Sequence, residues 1–241
     1  MFQVKTNPLS CEIAPFDNQV NKSDDPLPIG NYIYIFSGRA GSGKSTLMLN
    51  LLRRKSSPYH RIFDKVFLCS PTAKRDEKFA PLIDELSEDG QFYDAINDDV
   101  VDQILQKLEV SNEEFKKEHP KMTPRNLLII DDCIHLLPSS MQHSAINQIF
   151  VNLRHSKLSV WICTQQFTKL NRLIRTNANL ISFFPTDSRK EFQTLEEELA
   201  IDPKLLKKVY DFATDSNNGF LHISLTGRKP SFFKKFDKIL I

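Results

Sequence analysis

The chain has 241 residues, 40% of them hydrophobic and 26% charged, a balance typical of one large globular domain or two small ones. Its formal net charge is +2, which excludes a polycation that binds nucleic acid through its overall charge. The four cysteines are widely spaced and form no C-x-x-C pair, so we expect reduced intracellular thiols and neither a zinc site nor a disulfide framework.

The first residues of the chain are polar and contain proline. We expect residues 1–29 to form an extended or partly disordered arm. The segment lacks the long apolar core of a signal peptide, and no apolar run of the chain approaches membrane-spanning length. Membrane insertion is therefore not expected.

From residue 31 onwards, strand-like and helix-like patterns alternate. Strands are predicted at 31–37, 64–71, 126–131, 158–164, 179–185 and 219–225. Helices are predicted at 44–54, 80–86, 100–108, 113–119, 140–155, 188–199 and 203–212. This alternation predicts an α/β domain over residues 30–225, with a central, mainly parallel sheet flanked by helices, followed by a basic and aromatic segment at 226–241.

The turn after the first predicted strand reads GRAGSGKS and matches the phosphate-binding pattern G-x-x-x-x-G-K-[ST]. Its backbone N–H groups would surround the phosphates of ATP, Lys44 would reach the β- and γ-phosphates, and Ser45 would bind Mg²⁺. A plain glycine turn is the alternative, but the pattern arises by chance in about one chain of this size in a hundred. The predicted nucleotide-binding residues are Gly38, Arg39, Ala40, Gly41, Ser42, Gly43, Lys44, Ser45 and Thr46.

Two adjacent aspartates end the apolar strand LLIIDD. A P-loop enzyme needs a carboxylate at the end of a neighbouring strand to hold Mg²⁺, and Asp131 is the candidate. Asp132 is then the candidate that polarises the attacking water. The long separation between Lys44 and Asp131 predicts an extra strand between the P-loop strand and the aspartate strand. A strand that simply ends in a turn is the alternative.

Three further residues are candidates for catalysis. The strand 158–164 runs into Gln165 and Gln166, and a polar residue there could sense the γ-phosphate; Gln165 is the first choice. Arg154 and Arg175 are candidates for an arginine that reaches the γ-phosphate of a neighbouring subunit. Either arginine could instead be a surface residue near a helix end.

Taken together, these segments resemble the poxvirus-type DNA-packaging ATPases of the FtsK–HerA superfamily, in the short form found in virophages and polinton-like elements. The segments that carry the resemblance are GRAGSGKS, LLIIDD, LRHSKLSVWICTQQ and LIRTNANLISFFPTDSRKEF, in that order. The resemblance implies a P-loop NTPase fold of the RecA/ASCE type. In the wider superfamily the second acid is often glutamate, and the aspartate at position 132 is read as a feature of the viral branch.

The resemblance also implies a function and partners. The protein would form a homo-oligomeric ring, with a hexamer expected, that hydrolyses ATP to drive double-stranded DNA into a preformed capsid. It would contact the DNA backbone and a capsid or portal-vertex protein, in the cytoplasm or virus factory of an infected host or in association with the virion. The alternatives are a cellular or plasmid-type DNA pump or helicase, a P-loop nucleoside kinase, and a non-catalytic ATP-binding assembly factor.

The DNA contact is the least specified of these expectations. The segment 228–238 carries five basic residues, one acid and several phenylalanines. It could lie along DNA, dock on the capsid, or form an edge strand that packs its phenylalanines on the core.

Overall fold

The computed structural model describes residues 26–133 and 144–240, without the side chain of Arg154. The strands are β1 Ile33–Ser37, β2 Lys65–Cys69, β3 Phe92–Tyr93, β4 Asn126–Asp131, β5 Leu158–Thr164, β6 Leu180–Phe183, β7 Leu221–Ser224, β8 Ser231–Lys234 and β9 Asp237–Lys238. The α-helices are α1 Lys44–Arg53, α2 Ala80–Glu88, α3 Asp98–Glu118, α4 Ala145–Val151, α5 Leu153–Ser156, α6 Arg172–Thr176, α7 Arg189–Leu199 and α8 Pro203–Thr214.

All strands of the described chain join one sheet, in the order β3-β2-β4-β5-β1-β6-β7-β8-β9. The first six strands along the chain pair in parallel, while β7, β8 and β9 add antiparallel strands at one side. The predicted α/β fold with a mainly parallel sheet is confirmed. β5 lies between β1 and β4, so the predicted insertion of a strand between the P-loop strand and the aspartate strand is also confirmed.

Each face of the sheet is covered by its own hydrophobic core. In β4, Leu127 and Ile129 belong to the core on the α1 side, while Leu128 and Ile130 belong to the core on the other side. Side chains alternate between the two faces of a strand, so a strand that is covered on both sides is apolar throughout. This is why β4 reads as an unbroken apolar run in the sequence, until the first aspartate.

Several helix predictions need correction. The helices predicted at 100–108 and 113–119 form one continuous helix, α3, which includes the polar residues between them. Asn112 in this junction donates a hydrogen bond to the carbonyl oxygen of Ser156 and accepts one from the side chain of Asn126. The helix predicted at 140–155 falls partly outside the described residues; its described part divides at Asn152 into α4 and α5.

The structure also defines the two ends of the described chain. β8 contains the buried residues Phe232 and Phe233, so the phenylalanines of this part of the C-terminal segment pack on the core, as one interpretation expected. The edge strand itself is β9, because β8 pairs with both β7 and β9. Near the other end, the Pro26 carbonyl accepts a hydrogen bond from Nε2 of His222 at 2.7 Å, and Leu27 is buried. Burial lowers the pKa of His222 to about 4, so the ring is neutral at pH 7. The arm predicted over residues 1–29 lies mostly outside the described residues and stays a prediction.

No helix in the described part of the chain combines sufficient length with sufficient apolar character to cross a membrane.

Candidate functional site

The candidate residues meet where three neighbouring parallel strands end. Ser37 at the end of β1 pairs with Thr164 at the end of β5, and Asp131 at the end of β4 pairs with Cys163. The residues that follow these strands therefore lie along one edge of the sheet. We call it the carboxyl edge, and it is where ligands of open α/β sheets bind.

The loop between β1 and α1 has the backbone of a phosphate-binding loop. Gly41 and Gly43 have φ angles of 74° and 100°, in the left-handed region that favours glycine. Gly38 is required for a different reason: a Cβ atom there would lie 2.5 Å from Cβ of Phe184 and 2.8 Å from Oγ of Ser42. Phe184 follows β6, so the neighbouring strand forms a wall of the loop.

Two polar side chains of the loop are available to bind an anion. One has no hydrogen-bond partner, and the other donates to a carbonyl oxygen that an anion could replace. Oγ of Ser42 is buried without a hydrogen-bond partner among the described residues. Nζ of Lys44 donates to the carbonyl oxygen of Arg39 at 2.9 Å, and only 7% of Lys44 is exposed. Desolvation lowers the pKa of Lys44, while Cys163, Asp132 and Asp131 act in the opposite direction. A buried ammonium and an unpaired buried hydroxyl suit a loop that closes on an anion.

Asp131 lies beside the start of α1 and is held by two hydroxyl groups. Ser45 donates to its Oδ1 at 3.4 Å, and Ser70 donates to its Oδ2 at 3.3 Å. Burial, together with the charge of Asp132, raises the pKa of Asp131, since both disfavour its ionised form. A divalent cation would relieve both effects, and a carboxylate with nearby hydroxyls is an oxygen ligand set that Mg²⁺ accepts. The residues present therefore fit Mg²⁺.

Asp132 is oriented by its backbone and by Gln165. Its φ angle is 53°, a left-handed conformation that aspartate tolerates better than most residues, and its N–H donates to the carbonyl oxygen of Cys163 at 3.3 Å. Nε2 of Gln165 lies 3.1 Å from Oδ1 and 3.2 Å from Oδ2 of Asp132. The carboxylate of Asp132 is thus held by the residue that follows β5.

Two residues of this site were missed by the sequence analysis. Ser70 follows β2, the next strand beyond β4, and it also accepts hydrogen bonds from the backbone of Ala73 at 3.1 Å. The position of Ser70 directly after an apolar strand is the sequence feature that could have identified it. Phe184 had no local signal, because its contact with Gly38 depends on β6 lying beside β1.

The two candidate arginines are not equivalent. Nε of Arg175 donates to Oε1 of Glu198 at 2.9 Å, one guanidinium nitrogen donates to the carbonyl oxygen of Leu170, and its charge lies over the ring of Phe167. The side chains of Arg175 and Glu198 are 14% and 15% exposed. Arg154 is in α5, and its side chain lies outside the described residues. The contacts of Arg175 therefore lie within its own subunit and away from the P-loop.

The remaining loop residues are open to solvent. Arg39, Ala40, Gly41 and Thr46 are exposed, and Arg39 forms an exposed ion pair with Asp187 at 3.1 Å. Such a pair contributes little stability, so Arg39 can exchange it for another anion.

Comparison with known proteins identifies the family. The model of the family described as Poxvirus A32 protein matches residues 25–219, which is most of the chain. This chain belongs to the Poxvirus A32 protein family. The resemblance to poxvirus-type proteins inferred from the sequence is therefore confirmed. The Poxvirus A32 match includes the P-loop, both aspartates, Gln165 and both candidate arginines.

A curated relative comes from another large virus. Uncharacterized protein 075L of Invertebrate iridescent virus 6 is 29% identical over 177 residues, which cover 71% of this chain. The match spans 62% of the length of that relative.

Solved structures confirm the fold. The genome packaging NTPase B204 of Sulfolobus turreted icosahedral virus 2, in complex with AMP, matches with a TM-score of 0.61 and 21% identity, over 90% of this chain and all of that chain. Its complex with ATP-gammaS matches with a TM-score of 0.60 and 22% identity, over 87% of this chain and 98% of that one. At this level of identity, the likeness establishes the architecture.

Proposed function

We propose that this Poxvirus A32 family member is an ATP-hydrolysing motor that moves double-stranded DNA into a viral capsid. The observation that carries the proposal is the pairing of Asp132 with Gln165 at the ends of adjacent strands, beside a P-loop and a buried Asp131. This arrangement provides a phosphate site, a metal ligand and a separate acid for a water. The family and the packaging NTPase with the same architecture support the packaging role.

The residues divide the chemistry between them. The loop N–H groups and Lys44 hold the phosphates, and Lys44 exchanges the carbonyl of Arg39 for phosphate oxygen. Mg²⁺ bound by Ser45 and Asp131 would supply positive charge to the triphosphate. Asp132 accepts a proton from the water whose oxygen attacks the γ-phosphorus, as the bond to the β,γ-bridging oxygen breaks. Gln165 holds both oxygens of Asp132, so the carboxylate is preorganised.

The partners are part of the same proposal. A homo-oligomeric ring, with a hexamer expected, would hold the DNA by backbone contacts that carry no sequence information. A capsid or portal-vertex protein would anchor the ring in the cytoplasm or virus factory of an infected host, or in the virion. The family membership supports each of these partners through the packaging role.

The proposal is tested by ATP turnover with and without double-stranded DNA. We expect phosphate release that rises when a long duplex is added, with no dependence on a nucleoside acceptor. Turnover is also measured with an excess of single-stranded DNA in place of the duplex. Stimulation by exposed single strands would indicate a helicase, whereas stimulation by the duplex indicates a packaging motor. Turnover that follows the concentration of a nucleoside would overturn the motor, and ATP binding without any turnover would indicate an assembly factor.

Mixed oligomers distinguish the two candidate arginines. We expect Arg175→Ala to lower the free energy of unfolding by about 3 kcal/mol, because it leaves Glu198 largely buried without its partner. Arg154→Ala is expected to preserve stability and to lose turnover, and a mixture with a P-loop mutant should regain some activity at mixed interfaces. Chemical denaturation and turnover of the mixtures provide both measurements.

The matched control is Arg172→Ala, which removes an exposed arginine from the same helix as Arg175. It should change neither stability nor turnover. If no mixture regains activity with either arginine mutant, the proposal that an arginine reaches the site of a neighbouring subunit is contradicted. If Arg175→Ala is as stable as the wild type, the role of Arg175 in holding Glu198 is contradicted.

A further inference from the structure

The edge of the sheet opposite the candidate site is densely basic. Helices that follow parallel strands return the chain to this edge before the next strand begins. Four of its connecting segments are 54–64, 116–125 and 155–157, which precede β2, β4 and β5, and the turn 225–230, which precedes β8. The segments 89–91 and 177–179, which precede β3 and β6, also lie at this edge, and the first of them contains Asp89. We call the four segments 54–64, 116–125, 155–157 and 225–230 the amino-edge face.

The charge of the amino-edge face is almost entirely positive. Its basic residues are Arg54, Lys55, Arg61, Lys116, Lys117, Lys121, Arg125, Lys157, Arg228 and Lys229. Against these ten stand two acids, Asp64 and Glu118. The whole chain has a net charge of only +2, so the rest of the molecule is net negative. Positive charge is therefore concentrated in these four segments.

No ion pair in the described part of the chain neutralises these basic side chains. Within the described part of the chain, none of the ten is in an ion pair, and all except Lys157 belong to exposed residues. Other basic side chains do pair with acids. Beside the face, Arg53 pairs with Glu85 and Lys65 with Asp89. At the carboxyl edge, the pairs are Arg39 with Asp187, Lys74 with Asp94, Lys78 with Asp76, and Lys234 with Asp215.

Helix ends explain only part of this pattern. Lys116 and Lys117 are in the last turn of α3, where cations stabilise the helix dipole. Arg61, Lys121 and Arg125 lie beyond the helix ends, in connecting segments. The turn 225–230 joins two strands and follows no helix. Arg54 and Lys157 are C-cap residues of α1 and α5. About half of the ten basic residues therefore have no role at a helix end.

Two segments of the amino-edge face, 54–64 and 116–125, are hydrogen-bonded to each other and line a cleft. The backbone N–H of Arg125 donates to Oδ2 of Asp64 at 2.7 Å, and the N–H of Asp64 donates to the carbonyl of Arg125 at 2.7 Å. These bonds tie the segment before β4 to the segment before β2. The cleft beside them has a volume of about 820 Å³, and Arg61, Lys121 and Arg125 are among its lining residues.

The amino-edge face also has the dimensions of an extended ligand. From β2 to β7 the sheet has five strand spacings, which corresponds to about 24 Å. Double-stranded DNA carries one negative charge per about 1.7 Å of its axis, so a duplex lying across the face would present several phosphates to it. The exposed side chains are flexible cations, which suit phosphate and not base recognition.

We propose that the amino-edge face binds the phosphate backbone of double-stranded DNA. The inference rests on the proposed function, which identifies the polyanion as DNA. The unpaired positive charge of the face gives the location of the contact. The segment 228–238, one of whose alternatives was a contact along DNA, is divided between the two edges. Arg228 and Lys229 belong to the amino-edge face, whereas Lys234 and Lys235 lie at the carboxyl edge, because β8 runs between them.

Charge reversal at matched sites tests the location. The face variant carries Lys121→Glu, Arg125→Glu and Lys229→Glu. The control variant carries Lys190→Glu, Lys208→Glu and Lys235→Glu, which change the net charge equally at exposed residues outside the face. Binding of a 30-base-pair duplex is followed by fluorescence anisotropy across a salt series, without nucleotide. We expect the face variant to bind at least about tenfold more weakly at 0.1 M salt, with a salt slope smaller by about 2 to 3.

The control variant should keep the affinity and salt slope of the wild type, and both variants should keep basal ATP turnover and the thermal unfolding temperature. Equal weakening by the two variants, or no weakening by the face variant, would overturn the inference and leave the motor proposal intact. Failure of the wild type to bind any duplex would instead overturn the DNA part of the proposed function and the inference with it. Loss of binding to anionic lipid vesicles, with duplex binding unchanged, would assign the face to a membrane and overturn the inference as well.

Discussion

Replacing Asp132 with asparagine is expected to slow ATP hydrolysis by about 10²–10⁴-fold while leaving ATP binding nearly unchanged. The amide cannot accept the proton of the attacking water, but it keeps the size of the carboxylate. Steady-state phosphate release gives the rate, and a fluorescent nucleotide gives the affinity. Asp102→Asn, at an exposed position of α3, is the matched control and should behave as the wild type.

The contact with Gln165 sharpens this test. Because Nε2 of Gln165 lies close to both oxygens of Asp132, the two side chains are expected to act as one unit. A variant with Asp132→Asn and Gln165→Ala should then be about as slow as Asp132→Asn alone, since effects within a unit are not additive. If Asp132→Asn retained the wild-type rate, Asp132 would not be the general base.

Lys44→Ala is expected to abolish measurable turnover, a loss of about 10³-fold or more. The ammonium group is buried beside the loop and both aspartates, so its charge acts in a partly dry site. Nucleotide binding, measured by calorimetry, should weaken as well, because the phosphates lose a charged donor in the ground state.

Lys190→Ala, which removes an exposed lysine at the start of α7, provides the control for Lys44→Ala. The control should match the wild type in turnover and affinity. Turnover by Lys44→Ala within tenfold of the wild type would contradict the assignment of the P-loop as the catalytic phosphate site.

The sequence was sufficient for the parts of the fold that depend on local patterns. β4 and β5 agree with their predicted bounds because both are buried on both faces and read as continuous apolar runs. The P-loop was readable because its glycines and Lys44 have fixed spacing. The insertion of a strand between β1 and β4 could be inferred because Lys44 and Asp131 are far apart in the sequence.

Other features depend on tertiary contacts and had no local signal. α3 was divided in the prediction because Ser111 and Asn112 are polar, yet Asn112 is bonded to residues of other elements, which stabilise the continuous helix. β3 has two residues and exists only through its pairing with β2. The role of Phe184 as a wall of the P-loop requires knowing that β6 lies beside β1.

The concentration of positive charge on one face affects how the protein behaves in solution. A sequence pI near 8.3 suggests a nearly neutral molecule at physiological pH. The amino-edge face is instead strongly electropositive, because its ten basic residues stand against two acids. In a closed ring, equivalent faces of all subunits would be related by rotation alone. Wherever the axis of such a ring had a component along the strands, the amino-edge faces would therefore lie on the same side of the ring and add to one electropositive surface.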